Sequence, residues 1–185
     1  MISITLPDGS IRAFAPGTTP MEVAKNISEG FARNVISASF EGTTIETSTP
    51  LTTDGSLILH TWNDAEGKKA FWHSTSHVMA QVLEEMFPGI QLTLGPAIAN
   101  GFYYDVDFGD QKITEADFKA IESRILEISK EKHEFKMRAV TKAEALETYK
   151  DNVYKTELIS NLEDGTITFC DHATFTDLCR GGHIP

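Results

Sequence analysis

Two pairs of residues with acid–base or metal-binding side chains share one spacing in the sequence. His73 and His77 are four residues apart, and Cys179 and His183 repeat that spacing near the end of the chain. On a helix of 3.6 residues per turn, side chains at positions i and i+4 lie on the same face. Three imidazoles and a thiol that converge in the fold indicate a hydrolytic site or a metal site.

The spacing alone does not decide between these two chemistries. A zinc protease helix places a glutamate directly after its first histidine, whereas this chain has Ser74 there, which argues against metalloprotease chemistry. The four residues together could ligate a tetrahedral zinc ion, but no coordination position would then remain for water. A fully ligated zinc would be structural, so catalysis requires a vacated position or no metal. Either pair alone is more often a surface histidine pair or a buried thiol beside a chance histidine.

Three other side chains could join such a site. Lys155 lies in the run Tyr154-Lys155-Thr156-Glu157-Leu158, which predicts a strand and, by composition, a solvated lysine at a sheet edge. Asp177 is two residues before Cys179, so an extended segment would place both on one side and let Asp177 orient an imidazole. Tyr104 belongs to an aromatic cluster that is, by default, core.

Composition and charge limit the function classes. The chain has 185 residues, of which 41% are hydrophobic and 23% charged, as in ordinary globular proteins. Its formal net charge of −11 counts against broad nucleic-acid binding, so any such contact should be local. The sequence has no long apolar run and no signal peptide at its start, and it has only two cysteines. We therefore expect a cytoplasmic protein that does not contact membranes. The abrupt end after the Cys/His motif suggests a piece of a longer protein.

The first 62 residues predict a small β-grasp-like domain. Apolar residues alternate over 2–6, a Pro-Asp-Gly-Ser turn follows, and residues 11–14 return, which is typical of a hairpin. Thr19-Pro20-Met21-Glu22 combines a helix N-cap, a proline at the first helical position and a capping-box glutamate. Later strands are predicted at 35–40 and 57–61.

Residues 63–185 predict a larger α+β domain with an antiparallel sheet and packed helices. A helix from about residue 70 to Phe87 carries the first histidine pair and stops at Pro88-Gly89. Thr114 and Thr141 are each followed three residues later by an acidic residue, which indicates two more helix starts. Strands are predicted at 92–94, 102–106, 154–159 and 166–169. The predicted fold class is therefore α+β throughout.

These residues together carry a family resemblance. The chain resembles the N-terminal part of bacterial threonyl-tRNA synthetases, a TGS domain followed by an editing domain. The matching segments are Ile4-Thr5-Leu6-Pro7-Asp8-Gly9-Ser10, the helix His73-Ser74-Thr75-Ser76-His77, the run from Gly95-Pro96 through Asn100-Gly101-Phe102-Tyr103-Tyr104-Asp105, and the closing Thr176–Pro185. Gly182 departs from the family, which often has proline there. Alanyl-tRNA synthetase editing domains share the paired histidine and cysteine–histidine motifs.

The resemblance implies hydrolysis of the ester in seryl-tRNA(Thr). Serine lacks one methyl group of threonine, a difference that supports only about 10–200-fold discrimination, so a second, hydrolytic sieve is needed. The implied catalytic and pocket-lining residues are His73, Lys155, His77, Cys179 and His183, and the implied substrate-binding residues are Tyr104, beside the terminal adenosine, and Asp177. His73 would position or deprotonate water or contact the ribose, and Lys155 would contact the serine hydroxyl or support the tetrahedral intermediate. Alanine at His73 or Lys155 should then reduce deacylation far more than stability.

The same resemblance sets the expected cofactors and partners. No cofactor is required for editing, and zinc, if bound by His73, His77, Cys179 and His183, is not expected to be obligatory. The expected partners are the 3′ CCA end of tRNA(Thr) carrying serine and the remaining domains of the synthetase. The chain carries none of the aminoacylation motifs. Two alternatives stay open: a structural zinc-binding module, and alanyl-type editing of Ser-tRNA(Ala).

Overall fold

A computed structural model describes all residues, 1–185, of the chain. Contacts group them into two compact units, residues 1–72 together with 181–185, and residues 73–180. The domain boundary predicted between residues 62 and 63 stays a prediction, because grouping by contacts does not say which segments fold alone. None of the helices combines the length and apolar character needed to cross a bilayer.

The first unit contains one five-stranded sheet with the strand order β2-β1-β5-β3-β4. Only β1 and β5 pair in parallel, and the other neighbours are antiparallel. This confirms the predicted β-grasp-like arrangement, since a parallel pair between the first and last strands joins two hairpins. The elements are β1 (Ile2–Thr5), β2 (Ile11–Phe14), α1 (Pro20–Ile27), α2 (Glu29–Ala32), β3 (Ser37–Phe40), β4 (Thr43–Ile45) and β5 (Gly55–His60).

The capping box predicted at the start of α1 is present. The Thr19 hydroxyl accepts a hydrogen bond from the backbone N–H of Glu22, and the Glu22 carboxylate accepts one from the backbone N–H of Thr19. Val23 and Ala24 are fully buried on the inner side of this helix, and Ile4 and Leu57 are fully buried in the sheet that it covers. Alternating apolar residues in β1 therefore build the core of this unit, as their period of two predicts.

The second unit combines helices with a three-stranded antiparallel sheet in the order β10-β11-β12. Its longest helix, α3, begins at Ala65, five residues earlier than predicted, and belongs to this unit from His73 onward. Capping boxes begin α4 at Thr114 and α5 at Thr141, as predicted. The elements are α3 (Ala65–Met86), β6 (Gln91–Leu92), β7 (Ala97–Ile98), β8 (Gly101–Phe102), β9 (Val106–Asp107), α4 (Glu115–Glu131), β10 (Phe135–Ala139), α5 (Lys142–Thr148), α6 (Val153–Ser160), β11 (Thr168–His172) and β12 (Phe175–Leu178).

The strand predicted over residues 154–159 is wrong, because this segment is the helix α6 (Val153–Ser160). Asn152 is its N-cap, and the Asn152 side-chain oxygen accepts a hydrogen bond of 2.9 Å from the backbone N–H of Lys155. The side-chain amide of the same residue donates to the carbonyl oxygen of Leu92 at 2.9 Å, which ties the start of the helix to β6. Tyr154 and Thr156 favour strands locally, but the cap and the tertiary contact outweigh that weak preference.

Candidate active site

The two histidines of α3 and a cysteine meet inside the second unit. One helical turn separates His73 from His77, and their Nε2 atoms are 3.1 Å apart. Cys179 directly follows β12, where its backbone N–H donates to the carbonyl oxygen of Thr168, and its Sγ lies 3.4 Å from His73 Nε2. The structure therefore brings together three of the four residues that the repeated spacing singled out.

Asp177 lies behind these groups and contacts three other side chains. It lies in β12 with 3% of its surface exposed. Its Oδ1 accepts a short hydrogen bond from Lys155 Nζ, and its Oδ2 accepts one of 2.5 Å from the Tyr104 hydroxyl. The same Oδ2 lies 3.0 Å from His77 Nδ1. One buried carboxylate thus contacts three other predicted site residues, Lys155, Tyr104 and His77.

Burial and charge determine the protonation of this cluster. Burial alone would raise the pKa of Asp177, but the Lys155 charge and the contact with His77 hold it well below its ordinary value. Burial alone would lower the pKa of His77, but its hydrogen bonds to Asp177 and Cys179 outweigh burial, and the pKa lies above 6.5. Burial, followed by the Asp177 charge, raises the pKa of Tyr104 well above 10.0. Asp177 is therefore an ionised acceptor and Tyr104 a protonated donor at neutral pH.

These pKa shifts predict a pH window for the stability of the second unit. The lowered pKa of Asp177 gives stability that is present above its unfolded value near 3.8 and is lost as the pH falls through the folded pKa. The raised pKa of His77 gives stability that is present below 6.5 and is lost as the pH rises through the folded pKa. We expect the contribution of Asp177 and His77 to the free energy of unfolding, measured in urea, to be largest between pH 3.8 and pH 6.5. Asp177→Asn should reduce the loss of stability on both sides of this pH range. An unchanged loss in this variant would contradict the assignment.

The ionised carboxylate also determines which histidine nitrogens carry protons. A carboxylate can only accept, so the His77 Nδ1 that faces Asp177 carries a proton. His77 Nε2 faces His73 Nε2, and a hydrogen bond between them needs a proton on one of the two. A proton can therefore be exchanged between Asp177-oriented His77 and His73. This is the arrangement of an acid–base pair with an orienting carboxylate.

A cavity of about 750 Å³ opens beside this cluster. Six of the seven predicted site residues line it, and the seventh, His183, belongs to the first unit. The volume is in the range of pockets for small ligands. The lining residues are His73, His77, Thr93, Leu94, Gly95, Pro96, Tyr104, Lys155, Leu158, Leu162, Thr166, Ile167, Thr168, Asp177, Leu178, Cys179 and Arg180.

The expectation that Lys155 is a solvated edge-strand lysine is wrong. Lys155 is 1% exposed and lies in the first turn of α6, where the positive end of the helix dipole disfavours a cation. A buried ammonium is unfavourable unless a counter-charge compensates it, and Asp177 supplies that charge. A buried charged side chain that lines a cavity is typical of a functional site, because its burial is unfavourable for stability.

The three ligand atoms in the second unit also fit a metal ion. The donor atoms of His73, His77 and Cys179 all lie within 4.8 Å of one another. A tetrahedral zinc ion separates neighbouring nitrogen and sulfur ligands by roughly 3.3–3.6 Å, close to the 3.1 Å and 3.4 Å found here. A carboxylate beside the second ring nitrogen is also usual for a zinc-bound histidine, and Asp177 Oδ2 lies 3.0 Å from His77 Nδ1. These residues are a possible metal-binding cluster.

Comparison with known proteins identifies the family. A TGS domain model matches residues 2–61. Over all 185 residues the chain is 88% identical to the threonine–tRNA ligase of Flavobacterium johnsoniae, 82% identical to that of Flavobacterium psychrophilum and 51% over 187 aligned positions to that of Parabacteroides distasonis. The chain belongs to the threonine–tRNA ligase family. It spans 28% of the length of the first two relatives. Threonine–tRNA ligase is the systematic name of a threonyl-tRNA synthetase, so the resemblance drawn from the motifs is confirmed.

His183, the fourth member of the predicted set, lies in the first unit of this threonine–tRNA ligase segment. It is fully buried, and its Nδ1 lies 3.1 Å from Glu46 Oε1. The role of His183 in the site stays a prediction that rests on the motif. Glu46 itself was missed at the sequence level, since nothing in the sequence connects positions 46 and 183.

Gly95 belongs to a matching motif, but no role could be predicted for it from the sequence. A Cβ at position 95 would lie 2.2 Å from the ring of Tyr104, so only glycine lets this ring pack against the chain. Ser76 Oγ lies 2.8 Å from the carbonyl oxygen of Gly95, which attaches this segment to α3. The Gly95-Pro96 pair, which is part of the threonine–tRNA ligase resemblance, thus positions the tyrosine that donates to Asp177.

Gly95→Ala is expected to displace Tyr104 and to destabilise the second unit by roughly 1–3 kcal/mol, the usual range for overpacking. Urea unfolding followed by circular dichroism would measure the change. Gly30→Ala is the matched control, because it lies in α2 and a Cβ there meets nothing within 4 Å. That control should be neutral or stabilise by up to about 1 kcal/mol. An unchanged Gly95→Ala variant would mean that the tyrosine ring is not held by this contact.

Proposed function

We propose that this chain hydrolyses the ester of mischarged seryl-tRNA(Thr), and so acts as the editing part of a threonine–tRNA ligase. The observation that carries the proposal is the buried Lys155–Asp177 pair in the wall of a cavity that His73, His77 and Cys179 also line. Membership of the threonine–tRNA ligase family supplies the substrate class. Charging of tRNA itself is left to parts of the longer relatives that this chain does not span.

The chemistry needed is modest, because an aminoacyl ester is already activated. Water attacks the carbonyl carbon, a tetrahedral oxyanion forms, and the ribose oxygen leaves with a proton. His73 takes the proton from the water and returns it to the ribose oxygen, with His77 and Asp177 holding the histidine pair in place. The Lys155 ammonium contacts the serine hydroxyl or the developing oxyanion. Tyr104 borders the terminal adenosine, and Cys179 closes the pocket beside His73.

Selectivity would come from the size of the pocket. The synthetic site of a threonine enzyme admits serine, so the hydrolytic site has to accept serine and exclude threonine by a clash with the extra methyl group. A chain with a net charge of −11 can perform this task if only the 3′ CCA end of the tRNA enters the cavity. The other domains of the synthetase would then hold the rest of the tRNA.

A deacylation assay with the 185-residue chain tests the proposal. Ser-tRNA(Thr) and Thr-tRNA(Thr) are incubated with the chain, with and without a metal chelator, and the remaining aminoacyl-tRNA is counted. Faster loss of serine than of threonine is expected, and the rate with chelator should equal the rate without it. Loss of both amino acids at the uncatalysed rate would contradict the proposal.

A structural zinc module is the second candidate, and the closeness of the three ligand atoms favours it. If zinc binds, His73, His77 and Cys179 would hold it, with His183 as the predicted fourth ligand. With these four ligands the ion would have no open position for water, so it would stabilise the fold and take no part in hydrolysis. Metal analysis of protein purified without chelator separates the two candidates. One tightly held zinc per chain and a loss of stability on its removal would favour the structural module.

Alanyl-type editing is the third candidate, because alanyl-tRNA synthetase editing domains share the paired motifs. The match of a TGS domain to residues 2–61 argues against it. Comparing hydrolysis of Ser-tRNA(Thr) with that of Ser-tRNA(Ala) decides between the two. We expect the threonine tRNA to be the better substrate.

A further inference from the structure

Glu46 binds the C-terminal segment of the chain through three N–H groups. Its Oε1 accepts from the backbone N–H of Gly182 at 2.9 Å, and its Oε2 accepts from the backbone N–H of His183 at 3.1 Å. Its Oε1 also lies 3.1 Å from His183 Nδ1. Glu46 directly follows β4 in the β-grasp unit, so a TGS residue holds the last histidine of the predicted site.

Two consecutive glycines allow the backbone conformation in which these N–H groups reach Glu46. Gly181 and Gly182 have φ angles of 92° and 88°, in the left-handed region that glycine adopts without steric cost. In this conformation successive backbone N–H groups can point toward one anion. Proline at position 182 would remove the first of these N–H donors, because proline has none. The contact of Gly182 with Glu46 therefore needs a residue other than proline there.

The ring contact fixes the protonation pattern of His183. The same carboxylate accepts from two backbone N–H groups, and a carboxylate oxygen accepts from a ring N–H in the same way, so the bond to Glu46 needs the proton on Nδ1. In the neutral ring the lone pair then lies on Nε2. Which nitrogen of a histidine is basic is commonly set by the hydrogen bond of the other nitrogen. The backbone hydrogen bonds from Gly182 and His183 to the same carboxylate hold the His183 ring beside Glu46.

We propose that Glu46 is a positioning residue for the editing reaction, which fixes His183 as the tautomer with Nε2 as the basic nitrogen. This inference rests on the proposed function and on the motif that predicts His183 as a residue of its site. The carboxylate acts only through His183 and does not touch the substrate.

The test combines nitrogen NMR of the free chain with deacylation kinetics. In the chain labelled with ¹⁵N-histidine, His183 should carry its proton on Nδ1, and Glu46→Ala should give a mixture of both tautomers. The kcat for Ser-tRNA(Thr) should fall about 10–100-fold with little change in KM, as for other groups that orient a reactive histidine. Glu46→Gln is the milder variant, because its amide can present either an acceptor or a donor to Nδ1. Glu29→Gln removes an exposed carboxylate from the same unit and should change neither readout.

The outcomes separate this inference from the proposed function. If the wild-type chain shows no deacylase activity, the proposed function is wrong. The ¹⁵N chemical shifts of His183 would still show whether Glu46 fixes its tautomer. An Nδ1 without a proton in the wild type would overturn the inference. So would Glu46 variants that keep both the tautomer and kcat in an active chain. If Glu46→Ala does not fold, as judged by circular dichroism, Glu46→Gln provides both readouts.

Discussion

Replacing Lys155 with methionine is expected to lower the free energy of unfolding by about 3–5 kcal/mol, the usual loss when one partner of a buried ion pair is removed. Methionine keeps most of the volume but leaves the Asp177 carboxylate buried beside Tyr104 and His77 without its main counter-charge. Urea unfolding of both proteins at neutral pH would measure the difference. The burial of Lys155 therefore predicts a loss of stability beside the loss of deacylation that the motifs predict.

Two variants make this prediction specific. Lys150→Met removes an exposed lysine that pairs with Glu147 at 2.7 Å, and it should change stability by less than about 1 kcal/mol. Adding Asp177→Asn to Lys155→Met removes the isolated charge and should recover part of the loss. If Lys155→Met lowered the free energy of unfolding as little as Lys150→Met, Lys155 would not compensate the buried charge of Asp177.

Replacing His73 with alanine is expected to reduce the deacylation of Ser-tRNA(Thr) by about 10²–10⁴-fold, the usual contribution of a general base. His73 is partly exposed at the cavity and lies between His77 Nε2 and Cys179 Sγ, so it is the histidine that can meet a water molecule. The measurement is the first-order rate of serine release under single-turnover conditions, corrected for spontaneous hydrolysis. Stability should fall less than in the Lys155 variant, because no buried charge is left alone.

His133→Ala is the matched control for this prediction. His133 is exposed and pairs with Glu131 at 2.8 Å, outside the lining of the cavity. Its replacement should leave the rate of serine release unchanged. Equal rates for the two histidine variants would remove His73 from the role of base.

The parts of the fold that depend on local signals were predictable from the sequence. Thr19, Thr114 and Thr141 each precede an acidic residue by three positions, and each begins a helix with a capping box. The spacing of His73 and His77 indicated one helical face, and their Nε2 atoms are 3.1 Å apart. These features need only neighbouring residues, so local geometry determines them.

The parts that depend on distant contacts were not predictable in the same way. Lys155 was placed on a strand because Tyr154 and Thr156 favour strands, although the Asn152 cap three residues earlier was a usable helix signal. Its burial depends on Asp177, twenty-two residues further along the chain. The contact of Glu46 with His183 spans 137 residues, and no spacing rule could connect them.

Sharing of one carboxylate has a consequence for any mutational survey of this pocket. Asp177 has two oxygens and serves Lys155, Tyr104 and His77 together. Removing one donor leaves its oxygen to the others, so the losses from single substitutions will not sum to the loss from a combined one. Double-mutant cycles among these positions will therefore report coupling energies, and a ranking by single alanine substitutions will misjudge each residue's share.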